Sequence, residues 1–318
     1  MSTSNFDSYD QLRQAEDVQD MIHNVSPIDN PVAAMSRTLR ATGKLHEWTE
    51  DVLQAAASNA AIEGADAGTD QSQAVTEKNN YCQIMTKVAR VAGTLEEVDK
   101  YGRDSEMAYQ LELRYGELAN DEELAIIGAP GGTRQSAAAG DSSTARTMSC
   151  FQVQMVAGRN AADNVVSSSA VDLGDLEEEM LTAHEGCYDN GGNPRYLIVP
   201  PKVARYIAGF ASSTGRERDF GNSRQIVNVV DLYSSPYGEL EVVLDRHCER
   251  QGQGGSAENI IAGIDFMYSA TPVLRPTRDW PLAKTGDADN RQILREGTYA
   301  VLNTDAHFRL YGPLCPKR

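Results

Sequence analysis

The chain has 318 residues, 41% apolar and only 7% aromatic, with 46 acidic against 29 basic side chains and a formal charge of −17. That is enough chain for one large or two modest domains with a real core, and no apolar run approaches the roughly 20 residues of a membrane span. So acidic a surface repels phosphate backbones, which argues against direct duplex binding. Cys82, Cys150, Cys187, Cys248 and Cys315 are odd in number and widely spaced, and read as reduced thiols rather than a disulfide or metal framework. The opening MSTSNFDSYDQLRQAED lacks the basic start and apolar stretch of a secretory signal, so synthesis in the cytoplasm is expected.

In chain order, Asn24 to Met35 is broken by Pro27 and Pro31, each biasing its predecessor away from helix, which predicts an extended strap. Strand-like Lys44 to Trp48 is followed by some thirty residues dominated by Ala, Asn, Gln, Asp and Gly, before alternation resumes over Tyr81 to Val91. A stretch so long and so polar has no core of its own to enter. It is either disordered or rests on a neighbouring molecule. From Arg103 to Ile127 an amphipathic helix is predicted, with Ala108, Leu111, Tyr115, Leu118 and Ala125 on one stripe. Asp104 or Ser105 is its cap, and Gly128 followed by Pro130 is its stop.

A small-residue linker from Ala129 then separates two lobes. In the second, helices are expected over Asp175 to Tyr188 and Lys202 to Phe210, and strands over Tyr196 to Val199, Gln225 to Tyr233, Glu239 to Arg246, Asn259 to Ile264, Tyr268 to Leu274 and Ile293 to Asn303. The list is α+β with mainly antiparallel pairing, because the regular βα alternation of a nucleotide-binding fold is missing.

The chemical motifs fail one by one. His46-Glu47 lacks the second histidine of a zinc-protease helix, since Glu50 stands in its place. His184, Glu185 and Cys187 have no paired metal spacing. Gly140-Asp141-Ser142 sits in the linker rather than after a strand, which removes the setting a serine nucleophile needs. Gly252-Gln253-Gly254-Gly255 lacks the strand and helix of a phosphate cradle. Glu177 to Glu179 and Asp121 to Glu123 read as solvated helix faces. Neither a catalytic constellation nor a cofactor or metal site emerges.

Several strings nevertheless recur in a familiar order. They are Ser26 to Pro31, His46-Glu47-Trp48 with Glu63 to Asp66, Gly102 to Gln110, Tyr188 to Pro194, Tyr237 to Leu240 with Asp245-Arg246, and Leu274-Arg275-Pro276 leading to Leu282 to Asp287. In this order the chain resembles the SU-ten-like family of tailed-phage major capsid proteins, which have a Hong Kong 97-like fold. The resemblance implies an N-arm over 1–43, an extended loop over 44–93, a peripheral domain over 94–171 with its spine helix at 103–127, an axial domain over 172–291, and a strand over 292–318 returning to the peripheral domain.

It also implies a shell subunit whose partners are itself, in hexamers and pentamers, together with a scaffolding protein, a portal and a decoration protein. Such a shell encloses DNA without reading its sequence. An encapsulin-like cellular compartment is the alternative reading, and a soluble hydrolase the remote one. Candidate inter-subunit contacts are Trp48, which either anchors the loop to its own domain or inserts against a neighbour, and Lys87 and Arg90, expected to pair across the boundary with acids such as Asp104 or Glu106. A separate rather than fused scaffold is expected.

Overall fold

The computed structural model describes residues 30–98, 104–128, 134–169, 173–210, 232–248 and 259–312, apart from Ala55, Ala61, Ala65, Ala67, Thr69, Asp70, Gln71, Gln73 and Thr285. The described elements begin with helix α1 (Pro31–Met35) and strands β1 (Arg37–Arg40), β2 (Leu45–Glu50), β3 (Thr76–Tyr81) and β4 (Gln83–Ala92). Helices α2 (Gly93–Glu97), α3 (Glu106–Ile126), α4 (Phe151–Val156) and α5 (Ala161–Asn164) come next, then β5 (Val165–Ser167), α6 (Leu173–Asp189), β6 (Tyr196–Val199) and α7 (Pro201–Phe210). The chain continues through β7 (Leu232–Ser235), β8 (Gly238–Leu244), β9 (Asn259–Ile264), β10 (Ser269–Pro281), β11 (Ala288–Gly297), β12 (Ala300–Val301) and β13 (Phe308–Gly312).

One sheet runs β5-β13-β9-β6-β8-β7. Its central strand β9 is buried along its whole length, as befits a strand covered on both faces. On one face α6 and α7 supply Leu176, Met180, Ala183, Val203 and Ile207 against Leu197, Ile261, Phe308 and Leu310. On the other, Ile126, Phe151, Met155 and Tyr299 pack on Ile198, Ala262 and Ile264. A Cβ at position 263 would stand 2.1 Å from the Phe308 ring, so glycine there is what lets that ring lie flat on β9. Each fully buried side chain of this size contributes about 2 kcal/mol from water exclusion.

The second sheet runs β1-β10-β11-β4, with β12 also paired to β10. Alternation in β4 places Met85, Ala89 and Val91 inward, where Met85 meets Leu118 of α3 and Ile293 of β11. The helix begins where its chemistry predicts: the Ser105 side chain accepts from Ala108 N, and Glu96 accepts from the Ser105 hydroxyl and from the N–H groups of Glu106 and Met107. A carboxylate at this end suits both the unsatisfied N–H groups and the positive helix pole. The stripe is only partly as read, because Tyr115 remains 38% exposed and gives its hydroxyl to Asp279.

Two expectations differ from the structure. The strap is not extended from Pro31 on: this proline occupies the first turn of α1, where its missing N–H costs nothing and its fixed φ suits a helix. The 24–29 part of that strap, and 225–231 of the expected strand before Tyr233, lie outside the described residues. The proposed division at 171, 291 and 292 also differs from the sheets. Strand β5 joins β13, β10 and β11 lie in one sheet with β4 under α3, and Phe308–Gly312 pairs with β9 in the six-stranded sheet rather than returning to the α3 side. Register across distant segments decides these memberships, and local periodicity does not carry it.

Two histidines are sealed inside. His184 stacks on Phe308 with centroids 5.4 Å apart and bonds Ser235 through Nδ1; His307 accepts the Asp265 N–H. Burial pushes both down to about 4 from the ordinary value near 6.5. A depressed histidine contributes stability above the unfolded value that is lost as pH falls through the folded one. The melting temperature is therefore predicted to drop between pH 6.5 and 4, and His184→Phe, which keeps the stack, should flatten that slope; an unchanged slope by calorimetry would remove His184 from the account.

Candidate inter-subunit surfaces

Strands β2 and β3 form an antiparallel hairpin in register from Leu45↔Tyr81 to Glu50↔Thr76. Its base is fixed by polar contacts to the chain's own body. Asn80, fully buried, donates to the carbonyls of Ser149 and Tyr299, while its Oδ1 accepts from the N–H groups of Ser149 and Tyr81. Trp48 Nε1 donates to Val301 O at 2.9 Å. Glu50 Oε1 accepts from the Thr304 N–H and hydroxyl, both at 2.6 Å, and Lys78 Nζ donates to Ala157 O. Leu53 is 94% and Ile62 83% exposed, values that cost free energy unless another surface covers them.

The five residues singled out by sequence are scattered. Trp48 takes the anchoring role. Lys87 lies on the α3 side of β4, 2.7 Å from Asp121 and 3.8 Å from Glu117 of its own spine helix. Glu106 is buried in the first turn of that helix, where its side chain accepts from Gln110. Arg90 and Asp104 are exposed. Lys87 and Glu106 thus each have a partner within their own chain: β4 alternates, and an odd-numbered lysine there must face the helix. Residues 50, 80 and 123, which do the anchoring, were missed, because a polar residue at an inward strand or helix position leaves no mark until its partner is known.

Glu123 is the most constrained of these. It is fully buried, and its two oxygens accept from Val32 N and Ala33 N, each at 2.8 Å, which pins α1 to the end of α3. Burial, with the nearby Asp245 charge, lifts this carboxyl to about 8 although the two N–H groups pull the other way.

The groups once weighed for chemistry are committed elsewhere. Asp141 is held near 2 by the N–H and hydroxyl of Ser143 and the N–H of Thr144, closing an exposed turn. Cys187 donates to Asp305 O, and its thiol is pushed up to about 12, first by burial. Among the described residues no group of three or more His, Cys, Asp or Glu is placed to hold a metal, and no helix is long and apolar enough to cross a membrane.

The chain thus carries an anchored hairpin with exposed apolar residues beside a long helix on a sheet, and comparison with known proteins says what such a chain resembles. The family model described as SU10 major capsid protein matches residues 2–313. The chain belongs to this family. It is a phage major capsid protein with a Hong Kong 97-like fold, and the family is a structural one, located in the virion capsid. The major capsid protein of Escherichia phage Phieco32 is 25% identical, with 92% of each chain covered. Among solved structures, the capsid of a native GTA particle superposes with TM-score 0.61 at 12% identity, covering 96% of both chains. Mycobacterium phage Bobi gives 0.59 at 12%, also over 96% of both. The SrpI encapsulin of Synechococcus elongatus PCC 7942 gives 0.56 at 8%, over 96% of this chain and 95% of that one.

For this major capsid protein two outcomes are expected. Asn80→Ala leaves the Ser149 N–H buried without its acceptor and should cost about 2–4 kcal/mol in urea unfolding. A loss within 0.5 kcal/mol, the scale of an exposed substitution, would contradict the anchor. A carboxyl raised in the folded state adds stability that is complete below its unfolded value and is lost as pH rises through the folded one. Above the histidine window, stability should therefore decline from about pH 6.5 to 9, and Glu123→Gln should remove that decline; a parallel pH curve for the variant would refute the assignment.

Proposed function

We propose that the subunit assembles into hexamers and pentamers that close an icosahedral head around double-stranded phage DNA. The observation that carries this reading is the hairpin: rigidly held at Asn80, Trp48 and Glu50, and exposing Leu53 and Ile62 at a tip its own body does not cover. Many such contacts, each weak enough to reverse, let misplaced subunits leave before closure and become strong in number afterwards. A net charge of −17 suits a wall that encloses DNA without adhering to it.

A scaffolding protein during assembly, a portal at one vertex and a decoration protein on the outside belong to the same proposal, as does synthesis in the bacterial cytoplasm. An encapsulin-like compartment shares the fold alone, and nothing in the described residues favours it over a phage head.

Expression with and without the scaffolding protein, followed by negative-stain electron microscopy, tests the proposal. Closed shells, tubes or hexamer sheets are expected, whereas a monodisperse monomer even with scaffold would overturn it. Replacing residues 53–74 by a short Gly-Ser turn should leave the melting temperature within a few degrees, about the 1 kcal/mol scale, and abolish shells. Shells from that variant would show that the tip is dispensable.

A further inference from the structure

Three buried carboxylates are matched on the spot: Glu296 by Arg146 and Arg275, Glu122 by Arg295, and Glu123 by two backbone N–H groups. At the outer end of the hairpin root the match is incomplete. Glu50 is only 3% and Asp305 only 4% exposed. Glu50 engages Thr304 through Oε1, while its Oε2 accepts no hydrogen bond among the described residues and stands 3.7 Å from the Lys78 ammonium. Asp305 is the next residue of the same short turn, Thr304–Ala306. Its Oδ1 likewise accepts no hydrogen bond among the described residues. A buried oxygen left in this way loses its solvation without compensation.

The neighbouring elements set the electrostatics of this corner. Strand β3 brings Lys78, whose Nζ also donates to Ala157 O. The turn before α5 brings Arg159, and Asn160, whose side chain hydrogen-bonds Asp305. Helix α6 brings Cys187, which donates to Asp305 O. The Glu50 charge also reaches His307, and Asp265 acts on both Cys187 and His307. Lys78 and Arg159 favour ionised carboxylates, whereas burial and the repulsion between the two acids oppose them. At Asp305 the opposition wins: burial first, then the Glu50 charge, raise its carboxyl above the ordinary value of 3.8.

We propose that Glu50 and Asp305 hold one proton between them, and that this proton decides how firmly the outer end of the hairpin root is clamped to the turn Thr304–Ala306. With the proton in place, Glu50 keeps both Thr304 bonds, and the corner carries one negative charge facing Lys78. Without it, two buried carboxylates repel each other, and they separate when Glu50 lifts β2 off Thr304. The other end of the root is held by the neutral amide of Asn80, which does not titrate. The hairpin therefore loosens from its Glu50 end and keeps Asn80 as a pivot.

The direction follows from linkage. A carboxyl raised in the folded state stabilises it fully below the unfolded value, and that contribution is lost as pH rises through the folded one. The clamp is thus tight in acid and weakens above the ordinary value of 3.8, and the titration belongs to the pair rather than to either residue.

Hydrogen exchange on the free, full-length subunit tests this, read as opening equilibria so that the pH dependence of the exchange chemistry itself drops out. The amides of residues 48–50, 76–78 and 304–306 are followed with pH against those of Tyr81 and Ser149, which donate to Asn80. Relative to that reference, opening of the outer end should climb with pH, by at most about tenfold per pH unit, the limit for one linked proton. Asp305→Asn should abolish the climb. Glu50→Gln retains an oxygen for Thr304 and should flatten it as well. Lys78→Met removes a cation that favours the ionised pair, and should move the climb to higher pH. No climb in the unsubstituted chain, an equal climb in Asp305→Asn or Glu50→Gln, or a move to lower pH in Lys78→Met would overturn the proposal. The clamp belongs to the single subunit and its test needs no particle, so its failure leaves the shell reading standing.

Discussion

Asn80 answers the main physical difficulty of this chain, which is to send some twenty-five polar residues away from its core without letting the exit point fray. A buried amide that satisfies two carbonyls and accepts from two N–H groups is costly to break, because each group left alone in the interior loses its solvation as well. The bonds reach Ser149, just before α4, and Tyr299, between β11 and β12. Hairpin, sheet and the segment after residue 134 are therefore fixed to one another at a single point. Trp48 and Glu50 extend the same clamp along β2. With the base immobile, the tip can be apolar and acidic without collapsing onto its own subunit.

The spine helix is held in a related way, by charge rather than by apolar area. Its contact to the sheet includes Met85, Leu118 and Ile293, but around that small cluster lie Lys87 with Asp121, Arg295 with Glu122, and Tyr115 and Arg291 with Asp279. Exposed pairs of this kind are individually worth under about 1 kcal/mol, whereas Glu122, largely out of water, depends on its arginine more strongly. The C-terminal end of α3 is different: Ile126 and Ile127 enter the core shared with the six-stranded sheet. One end of the helix is thereby rooted in a dry interior, and the other lies on a wetter sheet.

Much of this was legible in the sequence where the signal is local. The helix expected at 103–127 runs Glu106–Ile126 and is capped by Ser105, one of the two residues named for that role. The strands Tyr196–Val199 and Asn259–Ile264 have the expected bounds, because short runs of branched apolar residues bounded by proline or polar residues leave little choice. What failed was non-local. That Phe308–Gly312 pairs with β9, that β10 crosses to the α3 sheet, and that Lys87 faces Asp121 all depend on pairing over long separations, which periodicity does not encode. The anchors Asn80, Glu50 and Glu123 were illegible for the same reason. A lone polar residue in a strand or helix looks solvated until its distant partner is placed.

Hydrogen exchange on the free subunit and on assembled particles tests the central claim most directly, since protection reports local opening segment by segment. The account predicts slow exchange for residues 45–50 and 76–81 in both states, and fast exchange for 51–75 that becomes slow only in the particle. If the base exchanged as fast as the tip in the free subunit, or the tip stayed unprotected in closed shells, the anchored hairpin would not be the element that joins one subunit to the next.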